Sequence, residues 1–206
     1  MTHPDTDPLT PARTLVNTWY GHLAGGGDEY LATPTDLARW CRSTGVDVAD
    51  DEVTGADLEL AHAVREGVRA LLARHNDAAC PQDGDALDRL RAVAPGLELR
   101  VSPGPPPSLV PAVAGARGAL ALALAAPVLA GGKAWSRLKV CREPRCRTAF
   151  HDRSRNGSGV WCSMAACGAA SKQRAFVERR RAQTQARRRA SASSMPSEVP
   201  AHENRM

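Results

Sequence analysis

The chain has 206 residues, 43% hydrophobic but only 4% aromatic, with a formal net charge of +5. That length allows one sizeable core, or one domain with a small module beside it, and the abundant alanine leans toward helices packed through small side chains. The longest uncharged apolar run, residues 118–132, contains a proline and glycines and is shorter than the roughly 20 residues of a membrane span, so no membrane segment is expected.

The polar start MTHPDTDPLT has no apolar stretch of a secretory leader, which points to a cytoplasmic protein. The net charge hides an asymmetry. Residues 1–132 carry 10 basic and 17 acidic side chains, a net −7, whereas residues 133–206 carry 17 and 5, a net +12. Arginine outnumbers lysine 24 to 3; its planar fork suits bidentate phosphate contacts.

In chain order, Leu15, Val16, Trp19 and Leu23 recur at helical spacing, predicting a helix over residues 10–23 that Gly25-Gly26-Gly27 ends. Thr35 is placed to cap a short helix carrying Leu37, Trp40 and Cys41, stopped near Gly45. The clearest helix runs from about Gly55 to Arg74. Thr54 and Asp57 form a capping-box-like start, and Leu60, Ala61, Val64, Val68, Leu71 and Leu72 form one apolar stripe. A loop through His75-Asn76 and Cys80-Pro81 precedes a short helix capped by Asp85, with Leu87, Leu90 and Ala94 inward. Leu97–Val101 alternates as a strand, the proline-rich turn 103–107 follows, and Ser108–Val113 supplies a return strand. A helix from about Gly115 to Leu129 closes this part. The expectation is a mainly α first domain, residues 1–132, with a small β-hairpin. Trp19, Trp40 and the Val64–Leu72 stripe read as its core before they read as the wall of a pocket. The polar, aperiodic segment 191–206 reads as a disordered tail.

Residues 133–190 hold the chemistry. Cys141-Arg-Glu-Pro-Arg-Cys146 and Cys162-Ser-Met-Ala-Ala-Cys167 are two C-x4-C pairs separated by 15 residues. Two such tight turns complete the tetrahedral thiolate shell of one structural Zn²⁺, with no open position for catalysis. Arg142, Arg145 and Arg147 supply a positive field that favours thiolates. His151 is the one alternative ligand nearby; Cys41 and Cys80 read as reduced thiols. Phe150 and Trp161 flank a loop, residues 152–159, that reads as a hairpin tip. Ser163 is a plausible N-cap that places Cys167 in the first turn of a last helix, from which Phe176 and Val177 are expected to pack back on the knuckles. Knuckle, hairpin, knuckle and basic helix make a treble-clef-like zinc finger.

The run Cys141-x4-Cys146, Phe150, Asp152, Ser154-Arg155-Asn156-Gly157-Ser158, then Trp161-Cys162-Ser163-Met164-x2-Cys167-Gly168 resembles the CGNR-type zinc finger. Leu15-Val16-Asn17-Thr18 and Ala63–Leu72 resemble the two recurring stretches of the ABATE domain that accompanies it. The resemblance implies a bacterial transcription regulator whose finger binds DNA. Ala169-Ala170 stands where the family has Asn-Arg, and Gly159-Val160 where an arginine pair usually precedes the tryptophan.

The charge supports duplex DNA as partner, since residues 133–190 hold 16 basic and 3 acidic side chains. The expected contacts are Arg155 in the 152–159 loop and Lys172, Arg174, Arg179, Arg180 and Arg181, the last five spread around the last helix in a way that suits backbone attraction. The first domain is then a candidate sensor or partner-binding part, open to a small-molecule effector. The alternative reading is a zinc-dependent protein-interaction adaptor. No catalytic residue is assigned and no enzyme is expected: the chain has no glycine-rich phosphate loop, no His-Glu-x-x-His and no nucleophile–base pair, and Asp50-Asp51-Glu52 reads as a solvated charge run.

Overall fold

The computed structural model describes residues 7–23 and 25–193. Seven α-helices and three antiparallel two-stranded sheets make up its regular structure among these residues, joined by short 3₁₀ and π turns. The organising element is α3, Gly55–Ala73, whose N-terminus closes by a full capping box between Thr54 and Asp57. Ala61, Val64, Val68 and Leu72 of α3 are almost wholly buried. Against them pack Leu15 and Val16 of α1 (Thr10–Val16), Leu37 and Cys41 of α2 (Pro34–Ser43), and Ala119, Leu120 and Ala123 of α5 (Gly115–Ala130). The stripe expected on α3 is therefore core, and Trp40 joins it, donating its indole N–H to Thr14 at 3.1 Å. The helix α4, Asp83–Val93, lies along α3 so closely that a Cβ at Gly67 would meet Leu90 at 2.5 Å.

Two hairpins occur in the first part of the chain. One, β3 (Leu99–Ser102) with β4 (Ser108–Pro111), is the expected pair around the proline-rich turn. The other corrects the helix expected to reach Leu23. The helix stops at Val16, and Trp19–Gly21 (β1) pairs with Gly27–Glu29 (β2) around a turn in which Gly25 and Gly26 have φ of 104° and 78°. The glycines are the hairpin turn, not a helix stop; left-handed φ is what they allow at no steric cost. The cap of α2 is Thr33, boxed with Asp36, rather than Thr35, because Pro34 then occupies the first helical position.

The short helix α6, Gly132–Trp135, leads into β5 (Leu138–Val140), which pairs with β6 (Ala149–His151) in register Leu138↔His151, Lys139↔Phe150 and Val140↔Ala149. Leu138, Val140 and Ala149 belong to the same buried cluster as α1 and α3. Polar contacts reinforce the seam. Asn17 extends the sheet as a strand would, donating to Ala149 O at 3.0 Å and accepting from its N–H at 2.8 Å. His75 donates to Leu138 O at 2.7 Å and Asn76 to Val140 O at 2.9 Å. The last helix, α7, runs from Ala169 to Ser193. The tail expected from residue 191 lies outside the described residues, apart from its first three, which continue α7.

The first part of the chain thus borrows core from β5 and β6. A fragment ending at residue 132 exposes the surface that Leu138, Val140 and Ala149 cover and strips Asn17, His75 and Asn76 of their partners. It is expected to melt on the order of 10 °C below a chain ending at residue 193 in circular dichroism.

Candidate metal centre

The first knuckle is the turn of the β5–β6 hairpin. The expectation of residues 152–159 as the hairpin tip is corrected here, because the strands pair across Cys141–Thr148 instead. Cys141 N–H donates to Thr148 O at 2.8 Å, and the carbonyl of Glu143 accepts from Cys146 N–H at 2.9 Å and Arg147 N–H at 3.2 Å. Arg147 sits at φ 48°, a left-handed position uncommon for any residue but glycine, and reverses the backbone there. The second knuckle starts at Ser163, whose hydroxyl accepts from Ala166 N–H at 3.2 Å. A π turn, Met164–Gly168, then carries Cys167 into the start of α7. The N-cap and first-turn placement of Ser163 and Cys167 are as expected.

These two turns gather Cys141, Cys146, Cys162 and Cys167 with their sulfurs all within 4.8 Å of one another. Cys146 Sγ lies 3.6 Å from Cys162 Sγ, and Cys162 Sγ 3.7 Å from Cys167 Sγ. A tetrahedron with Zn–S bonds of about 2.3 Å has S···S edges of about 3.8 Å. The spacing fits the ion, and it is too long for a disulfide; all six cysteines are free thiols. Titration of the set makes the same point. The hydrogen bonds of Cys141 and Cys162 push Cys146 far below the usual thiol range, while the sulfurs of Cys141 and Cys146 push Cys162 far above it. Four clustered thiols cannot all ionise until a cation shares their charge. His151, on β6, is not among the clustered ligands. Cys41 is core, with burial pushing its thiol up to about 12, and Cys80 is also raised, by burial and by the Asp83 carboxylate that its thiol reaches at 3.2 Å.

The arginines around the first knuckle do more than supply charge. Arg142 donates to Asn76 O at 3.1 Å and 2.7 Å, and Arg147 to Ala78 O at 3.1 Å and Asp83 at 2.8 Å. Both tie the knuckle to the helical domain. From the other side Arg69, 3% exposed, donates to Arg147 O at 2.8 Å and Val16 O at 2.7 Å while Glu66 holds its Nε at 2.9 Å. Arg65 grips Glu29 bidentately at 2.6 Å and 2.8 Å. The β1–β2 hairpin presses on the knuckle as well, since a Cβ at Gly21 would lie 2.1 Å from Arg145 O, and Leu23 packs against the cysteines. Sequence reasoning missed all of these. The signal was present in Arg65, Glu66 and Arg69, which interrupt the α3 stripe with charge on its buried side. A cleft of about 540 Å³ opens over this network, lined in part by Trp19, Arg69, Cys80 and Arg147; Trp19 therefore lines a cleft rather than the core.

The 152–159 loop is held by a buried pair. Lys139 Nζ donates to Asp152 at 2.8 Å, and also to Gly157 O and Gly159 O, and Asp152 accepts from Ser154 N–H and Gly159 N–H at 2.9 Å each. A Cβ at Gly159 would strike Asp152 Oδ1 at 2.6 Å, so glycine is required where the backbone wraps the carboxylate. Burial works against ionising Asp152, but Lys139 and Ser154 outweigh it and hold the carboxyl well below the usual range.

Of the residues expected on DNA, Lys172, Arg179, Arg180 and Arg181 are exposed along α7, and Arg155 is exposed on the separate 152–159 loop. Arg174 is different. Its guanidinium pairs with Glu143, whose carboxylate is 1% exposed and lies between two zinc-ligand positions of the first knuckle. Arg174 therefore braces α7 against the knuckle, which removes it from the set of free phosphate contacts. Phe176 and Val177, expected to pack back on the knuckles, are 52% and 39% exposed. Neither joins the cluster around the cysteines, and Val177 instead borders a cleft with Arg145 and Arg174 beside the knuckle.

A helical domain built on α3 and sharing its core with a four-cysteine finger is the class that fold and site define. Residues 9–133 match the ABATE family, described as "Putative stress-induced transcription regulator", and residues 137–180 match the CGNR zinc finger. The chain belongs to the ABATE family and carries a CGNR zinc finger. A search of curated proteins gave no match. Among the described residues no helix is long and apolar enough to cross a membrane.

Two outcomes test the centre. Cys146→Ser or Cys162→Ser should drop zinc from about one to near zero per chain in elemental analysis, with a lowered melting temperature. Asp152→Asn should destabilise the protein by about 3 kcal/mol at neutral pH, because it leaves Lys139 buried without its counter-charge. The fold favours ionised Asp152, so the stability it contributes is full above its unfolded pKa of about 3.9 and is lost as pH falls through the lower folded value. In denaturant titrations the gap between wild type and variant should therefore close only in strong acid.

Proposed function

We propose that this protein is a zinc-dependent DNA-binding regulator in which the four-cysteine centre fixes the base of α7 and α7 contacts duplex DNA. The observation that carries the reading is the projection of a basic helix from a metal knuckle. After the Arg174–Glu143 brace, α7 continues to Ser193 with Arg179, Arg180 and Arg181 exposed and a single acidic residue, Glu178, in the helix. Phosphate attraction needs such a surface, and a rigid base lowers the entropy lost on binding. The zinc ion, held by Cys141, Cys146, Cys162 and Cys167, supplies folding energy and takes part in no reaction, so the reading includes no catalytic step. The protein acts in this reading in the cytoplasm of a bacterial cell, and the helical domain is where an effector or partner would act. The cleft beside Trp19 and Arg89, which touches both the domain and the Arg147 side of the knuckle, supports that placement.

The family's Asn-Arg is replaced here by Ala169-Ala170, which lie in the first turn of α7, before the arginines of its later turns. The DNA contacts of this chain are accordingly assigned further along the helix.

Fluorescence anisotropy with a labelled random-sequence duplex at several salt concentrations tests the reading. The zinc-loaded protein should bind at low salt, with log Kd rising linearly with log salt, and replacing Arg179, Arg180 and Arg181 by alanine should reduce that slope by about one unit for each phosphate contact removed. Absence of binding at low salt, or an unchanged slope, would transfer the weight to a protein-interaction adaptor.

A further inference from the structure

The exposed part of α7 is not a uniformly basic rod. At about 100° per residue, Arg180, Arg181, Thr184 and Arg188 fall within about 60° of Val177, while Lys172 and Arg179 fall on the opposite side. Gln185 flanks the first face, and together these side chains border a shallow groove of about 610 Å³ that Phe176 closes at its N-terminal end. Arg180 stacks on the Phe176 ring at 5.8 Å. Thr184 Oγ1 is turned back to donate to Arg180 O at 3.0 Å, which occupies its hydroxyl within the helix.

Phosphate attraction alone gives no reason for this composition. It needs positive charge, and it is indifferent to an aliphatic side chain set in the middle of the charge with an amide beside it. Base edges in the major groove are not indifferent. A guanidinium pairs bidentately with guanine O6 and N7, a glutamine amide with adenine N6 and N7, and an aliphatic group meets the thymine methyl. Val177 with Arg180, Arg181 and Gln185 holds all three chemistries on adjacent turns of one helix. Its width also fits: an α-helix enters a major groove of about 12 Å. A second copy of the chain is disfavoured as occupant of this face, because pairing two such faces sets arginine against arginine, with no acidic residue among the groove's side chains.

We infer that the Val177–Arg181–Gln185 face of α7 reads base edges in the major groove of duplex DNA, and that Lys172 and Arg179 on the opposite face take no part in sequence choice. The inference rests on the DNA-binding reading above. It adds that this chain discriminates among sequences and names the side chains that do so.

Selection from a random duplex library with the zinc-loaded full chain, followed by Kd measurements on the selected and on a scrambled duplex, tests it. The expected result is enrichment of a short site containing guanine, bound roughly ten-fold or more tighter than the scrambled duplex. Gln185→Ala should lower that ratio by roughly ten-fold while leaving the salt slope unchanged, whereas Arg179→Ala should weaken both duplexes equally. Both positions are exposed on a helix, and circular dichroism with zinc content confirms that each variant is folded. Salt-dependent binding without enrichment overturns the inference and leaves the DNA-binding reading standing. So does a Gln185→Ala variant that weakens both duplexes alike. No binding at low salt overturns both. A dimer of the free protein that Val177→Glu dissociates would assign the face to a second copy and overturn the inference as well.

Discussion

Four sulfur atoms held within 4.8 Å of one another are the constraint on which the rest of the structure depends. Without a shared cation the set resists full ionisation, and with one it becomes the joint between three bodies of chain: the β5–β6 hairpin, the 152–159 loop and the base of α7. Buried charged groups then fix each of them. Lys139 and Asp152 close the loop, Glu143 receives Arg174 from α7, and the knuckle backbone is caught by Arg69 from α3. Four thiolates on one divalent ion leave the centre net negative. The Arg142, Arg145, Arg147 and Arg174 side chains around it offset that charge while making structural contacts of their own, as outer partners of metal ligands commonly do.

The seam between helical domain and finger is part of the core. Leu138, Val140 and Ala149 sit in the core of α1 and α3, and buried hydrogen bonds from Asn17, Asn76 and Arg69 satisfy carbonyls on both sides. Buried charge of the Arg65–Glu66–Arg69 kind adds little net stability over apolar packing, but breaking one partner is costly, so it penalises misdocking. Arg69 and Arg147, which line the cleft over this network, also tie the first knuckle to the helical domain.

Much of this was legible in the sequence where a single local rule applies. The two C-x4-C pairs, the Thr54 cap, the α3 stripe and the Ser163 cap each specify their own geometry at short range, and the matched families agree with the resemblance drawn from the cysteine run. What was not legible depends on long-range packing. The β1–β2 hairpin was hidden because Leu15, Val16, Trp19 and Leu23 keep a helical period by coincidence, and only the approach of Gly21 to Arg145 shows why the chain turns early. The β5–β6 register was hidden because a cysteine knuckle, not a glycine turn, makes the hairpin bend. Arg174 could not be separated from its basic neighbours until Glu143 was placed beneath it: a pairing across 31 residues leaves no local pattern.

The core shared by Leu138, Val140 and Ala149 with α1 and α3 makes the cysteine centre and the helical domain one cooperative unit carrying α7. Hydrogen–deuterium exchange on the zinc-loaded protein, before and after chelation, tests it most directly. Loss of amide protection should spread from the knuckles into β5, β6, α1 and the C-terminal half of α3. Deprotection confined to residues 141–193, with α1 and α3 unchanged, would contradict it.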